Sequence, residues 1–91
     1  MDILVEELTE IAQVVIDEDL RELLVFNDDF NTFDHVIQTL IRVCKHDVIQ
    51  AEQCAHIIHF KGKCCVKEGK LSVLKPMKEA ICEAGIKAAV L

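Results

Sequence analysis

Apolar positions along the chain change their spacing several times, and each change marks an element. Residues 1–20, MDILVEELTEIAQVVIDEDL, set Leu4, Leu8, Ile11 and Val15 at intervals that would form one helical stripe. The segment is acidic and weakly capped, so it is expected to be an extension at 1–20 ahead of a core domain at 21–91. An apolar run at 23–26 has strand length. Thr32 then offers an N-cap for a helix with Phe33, Val36, Ile37, Leu40, Ile41 and Cys44 on one face, ending near Lys45 and His46. Asp47 with Gln50 three residues on is a capping-box pattern, and it opens a second helix that runs to Lys61 and stops at Gly62. Alternation and β-branching at 63–68 predict a second strand, and Glu68-Gly69-Lys70 reads as a turn out of it. A third helix is expected over 71–84 with Leu74, Met77 and Ile81 inward and Gly85 as its stop; Pro76 should lie in its first turn, since an interior proline removes a backbone donor. Residues 86–91 supply a last strand. The order β-α-α-β-α-β predicts an α+β fold, a single small domain whose three-stranded sheet is covered by three helices on one side.

Composition sharpens this picture. A chain of 91 residues has room for one core, and 52% hydrophobic residues drawn mainly from aliphatics are enough to fill it. No apolar run reaches the ~18 residues a membrane helix needs and no basic leader is evident, so a soluble cytoplasmic protein with no membrane contact is expected. Five cysteines, Cys44, Cys54, Cys64, Cys65 and Cys82, read as small hydrophobes or free thiols with no disulfides. The net charge of −6 is uneven: residues 1–29 hold ten acidic groups against Arg21 alone, and the remainder holds six acidic and nine basic groups. Such a field argues against nucleic acid and suits a cationic ligand group, although an acidic surface also serves solubility.

Three polar features carry candidate chemistry. Asn27-Asp28-Asp29 breaks the first strand before the first helix, and turn chemistry accounts for it as readily as binding does, because Asn and Asp bond their own backbone. Glu52, His56 and His59 share one face of the second helix, a spacing that a metal could use but that lacks the ligand pairs of a zinc finger or metalloprotease. Cys64 and Cys65 are strand neighbours pointing to opposite faces, which suits packing better than shared ligation. No Gly-rich loop or nucleophile elbow is present, so neither an enzyme nor a cofactor is expected.

VFNDDFNTFDHV followed by AEQCAHIIHFKGK resembles the ClpS adaptor family over residues 23–91. Members carry NDD after the first strand and HxxG at the end of the second helix, matched by Asn27-Asp28-Asp29 and by His59 with Gly62. The resemblance implies an adaptor that recognises the free first residue of N-end rule substrates and delivers them to a Clp AAA+ unfoldase. It places Asn27, Asp29 and His59 on the α-amino group and Asp28 in turn and pocket support, with a hydrophobic pocket of Val25, Asn31, Phe33, Val36, Ala55, Ile58 and Ala88. The chemistry stands apart from the likeness: an α-ammonium presents three donors and one charge, so its receptor needs converging acceptors with at least one anion. Protonating His59 would turn an acceptor into a cation facing a cation, so binding should weaken on acidification.

Departures from the family pattern set further expectations. Phe33 and Ala55 stand where many members have Met, Ala88 where Leu is usual, and Val73 where Lys is common in the unfoldase-contacting segment. An altered pocket would change the preferred first residue, and an altered surface would change the Clp partner. The alternative is a ClpS-fold interaction module that binds a Clp ATPase N-terminal domain without reading N-terminal residues. A monomer is expected in either case.

Overall fold

The computed structural model describes residues 20–91, and the helical stripe expected from Leu4 to Val15 lies outside them. Six elements follow in order: β1 Leu20–Phe26, α1 Phe33–Cys44, α2 Val48–Lys61, β2 Lys63–Lys70, α3 Leu71–Glu83 and β3 Ala88–Val90. The strands form one antiparallel sheet in the order β2-β1-β3, so the fold is the α+β arrangement that the pattern predicts.

Local hydrogen bonding explains where the helices begin and end. The Thr32 hydroxyl accepts from the His35 N–H at 3.1 Å, and a carboxylate oxygen of Asp47 accepts from the Gln50 N–H at 2.7 Å, which satisfies orphan donors of α1 and α2. Helix α2 stops on Gly62 at φ 92°, whereas α1 stops on Lys45, which takes the same left-handed conformation at φ 59° without a glycine's freedom.

Three boundaries differ from the sequence expectation. Leu20, Arg21 and Glu22 pair with Lys70, Gly69 and Glu68, so β1 starts three residues early and the supposed turn at 68–70 remains in β2. The last strand shrinks to Ala88–Val90, although Leu91 and Glu22 still exchange backbone bonds of 3.1 and 2.9 Å. Because α3 begins at Leu71 directly off β2, Pro76 falls in its second turn and leaves the Ser72 carbonyl without its usual helical donor.

The core is aliphatic. Leu23, Val25, Val66 and Ala88 from the sheet meet Leu40, Cys44, Ala51, Ile58, Leu74 and Ile81 from the helices, each large side chain contributing about 1.5–3 kcal/mol. None of the four phenylalanines belongs to this cluster. All five cysteines are free; burial pushes the Cys44 thiol up to about 11 and the Cys64 thiol up to about 12.

One irregularity in the sheet is answered by a side chain. Leu23 pairs with Lys67 but Leu24 with Cys65, so Val66 is the extra residue of a β-bulge. His46, between α1 and α2 and 4% exposed, donates from Nε2 to the Val66 carbonyl at 2.7 Å. Its Nδ1 has no hydrogen-bond partner among the described residues, so the tie runs through one bond.

Candidate functional site

The corner at Asn27-Asp28-Asp29 is built by Asp28. One oxygen of its carboxylate accepts from the backbone N–H groups of Phe30 at 2.9 Å and Asn31 at 2.8 Å, and the other accepts from the Asn31 side-chain amide. These bonds, the Asn31 backbone N–H foremost, hold the Asp28 carboxyl below its ordinary value. Asn31 also donates to the Gly85 carbonyl at 2.9 Å, and His35 bonds the Ala84 carbonyl at 2.8 Å through Nε2, so the corner is fastened to the end of α3. Turn chemistry, which the sequence suggests for all three residues, is the work of Asp28 in this structure; Asn27 and Asp29 are exposed.

A second tie joins this corner to α2. The Asn27 backbone N–H donates to the Gly62 carbonyl at 2.9 Å, bringing the NDD turn against the last turn of α2, where His59 sits. A Cβ on Gly62 would meet nothing within 4 Å, so glycine is favoured there by its φ rather than by crowding.

Between the corner and α2 lies a cleft of about 320 Å³. Asn27, Asp28, Asp29, Asn31 and His59 supply its polar wall, and Phe33, Val36, Ala55 and Ile58 its apolar wall. Ala55 and Ile58 are buried at its base, while Phe33 is 37% exposed. Val25 and Ala88, expected in the pocket, do not line it. They are register partners on β1 and β3, and the pleat turns them into the aliphatic core.

An aromatic row leads out of the cleft. Phe33 meets His56 edge-on with centroids 4.8 Å apart and His59 at 6.2 Å; His59 meets Phe60 at 5.0 Å, and His56 stacks parallel to Phe60 at 6.0 Å. No spacing rule singles out Phe60 in the sequence, because at 75% exposure it obeys no core periodicity. Its signal is the exposure itself.

Among the described residues, Glu22, Cys65 and Glu68, on β1 and β2, have potential ligand atoms all within 4.8 Å of one another, close enough for one ion to reach all three. Glu52, His56 and His59 do not converge in this way. No helix among the described residues is long and apolar enough to cross a membrane.

A small α+β domain with a cleft between a strand–helix corner and a helix end is the class of protein that the fold and the cleft define. Residues 17–88 match the family described as ATP-dependent Clp protease adaptor protein ClpS, and the chain therefore belongs to the ClpS family. Among solved structures, Agrobacterium tumefaciens ClpS2 bound to L-phenylalaninamide superposes with a TM-score of 0.73 at 19% identity, over 79% of this chain and 94% of that one. At that identity the likeness speaks for the fold. No curated protein sequence matches this chain significantly.

Proposed function

We propose that this chain is an N-degron adaptor, gripping the free α-amino group and bulky hydrophobic first side chain of a substrate protein and presenting that substrate to a Clp AAA+ unfoldase. The observation that carries the reading is the cleft itself, where the Asn27 amide, the Asp29 carboxylate and the His59 imidazole share a mouth above Phe33, Val36, Ala55 and Ile58. An α-ammonium needs an anion and neutral acceptors together, and an amide oxygen, a carboxylate and an unprotonated ring nitrogen supply them. Asp28, already saturated by its own loop, holds the turn that presents Asn27 and Asp29. The volume lies at the small end of ligand sites, near 300 Å³, which suits one residue rather than an extended ligand. The ligand of the similar ClpS2 structure, L-phenylalaninamide, combines an α-amino group with an aromatic side chain. In this chain Phe33 forms part of the wall and Ala55 leaves room at the base, so Phe, Tyr, Trp and Leu are the first residues the cleft would take.

A peptide panel tests the reading. Peptides headed by Phe, Leu, Tyr or Trp should bind, and their N-acetylated forms should bind at least ~10-fold more weakly, since acetylation removes the charge and two donors. Equal affinity for free and acetylated forms overturns it. Binding to a Clp ATPase N-terminal domain with no response to any peptide would leave the interaction-module alternative instead.

A further inference from the structure

Four of the aromatic rings outside the core touch one another: Phe33, His56, His59 and Phe60 form a continuous set of ring contacts from the cleft wall to the surface. Phe60 at the end of that row is 75% exposed, and the parallel His56 ring is exposed beside it. An exposed phenylalanine stacked on a neighbouring ring is a surface prepared for a partner rather than a packing element. The Phe60 ring meets His59 edge-on just outside the cleft lining, so it stands beside the place where a first residue would be held. A polypeptide advances about 3.3–3.6 Å per residue, and the Phe60 ring centroid is 5.0 Å from that of His59, within reach of the side chain that follows the first.

We infer that Phe60, backed by His56, reads the second residue of the substrate and favours a large apolar or aromatic side chain there. This rests on the N-degron reading of the cleft and deepens it: the first residue would be gripped by polar groups and a greasy wall, and the second chosen by ring contact alone. Aromatic pairing at an exposed site corresponds to about a two- to tenfold preference. The exposed Phe60 ring sets the ligand chemistry as apolar or aromatic.

The test uses the whole protein and four peptides headed by Phe that differ only at the second position, Phe, Leu, Ser or Lys, each free and acetylated. The wild type should bind the Phe and Leu members about two- to tenfold more tightly than the Ser member. Phe60→Ala should level that series while keeping the gap between free and acetylated Ser peptides, and Phe60→Tyr should restore the series. A wild type indifferent to the second residue, a Phe60→Ala variant that keeps the preference, or a ranking with Lys above Phe each overturns the inference. Failure of the amine grip shows separately, as loss of the free-versus-acetylated gap in the wild type, and it removes both readings. Phe60 lies outside the buried core, so circular dichroism and thermal melting of both variants should match the wild type.

Discussion

Two histidines bracket helix α2 and do opposite things. His46, just ahead of its first turn, is buried and spends its Nε2 on the carbonyl of a bulged strand residue; His59, in its last turn, is exposed at the mouth of the cleft. The helix holds them roughly 20 Å apart, at 1.5 Å per residue. One end of the rod is committed to the fold and the other is exposed at the cleft, and the difference teaches that residue type alone decides neither. What decides is whether a buried backbone group stands within reach of the ring, as the Val66 carbonyl does beside His46.

Substitutions should separate the two ends. His46→Ala is expected to have the largest effect, lowering unfolding free energy by about 2–4 kcal/mol through a cavity and an unpaired buried carbonyl, while the folded fraction binds peptides normally. Chemical denaturation alongside peptide titration checks both halves. Asp29→Ala should do the reverse: peptide affinity falls about 10-fold or more, and stability moves by less than about 0.5 kcal/mol. If Asp29→Ala destabilised the fold as His46→Ala does, the contrast would collapse.

The helix stops offer a smaller pair. Gly62→Ala forces a side chain into the left-handed region and should cost about 1–2 kcal/mol, whereas Lys45→Gly relieves that strain and should gain up to about 1 kcal/mol. Gly62→Ala also disturbs the carbonyl that holds Asn27, so peptide affinity should drop with it; Lys45→Gly should leave affinity unchanged. A separate effect concerns alkali. Thiols in the unfolded chain ionise near 9.0, but the folded protein keeps Cys44 protonated to about 11 and Cys64 to about 12. The unfolded state therefore binds fewer protons above pH 9, and the stability they contribute is constant below that value and declines from pH 9 towards 11–12. Urea midpoints measured between pH 7 and pH 11 follow that decline, and Cys64→Ala should lessen it.

Features set by neighbours in the chain were legible in the sequence. Thr32, Asp47, Gly62 and Gly85 announce helix ends because a cap or a stop is a local bond or a local dihedral. Features set by distant pairing were not. Nothing at Leu20–Glu22 or Glu68–Lys70 shows that each finds its partner in the other, and that pairing overrides the turn signal of Gly69. The bulge at Val66 and the His46 bond that serves it are invisible for the same reason. At the cleft, spacing could not choose between a turn and a site for Asn27 and Asp29, and only the motif likeness joined them to His59. Val25 and Ala88, which the likeness places in the pocket, sit in the aliphatic core behind the cleft lining.

The extra residue in β2 has one more consequence, for colloidal behaviour. Among the described strands β2 pairs with β1 alone, so its eight residues form an edge of the sheet, the place where a second copy would add. Val66 kinks that rim, and Lys63, Lys67 and Lys70 load it with like charge, so straightening it by deleting Val66 should raise the tendency of copies to associate.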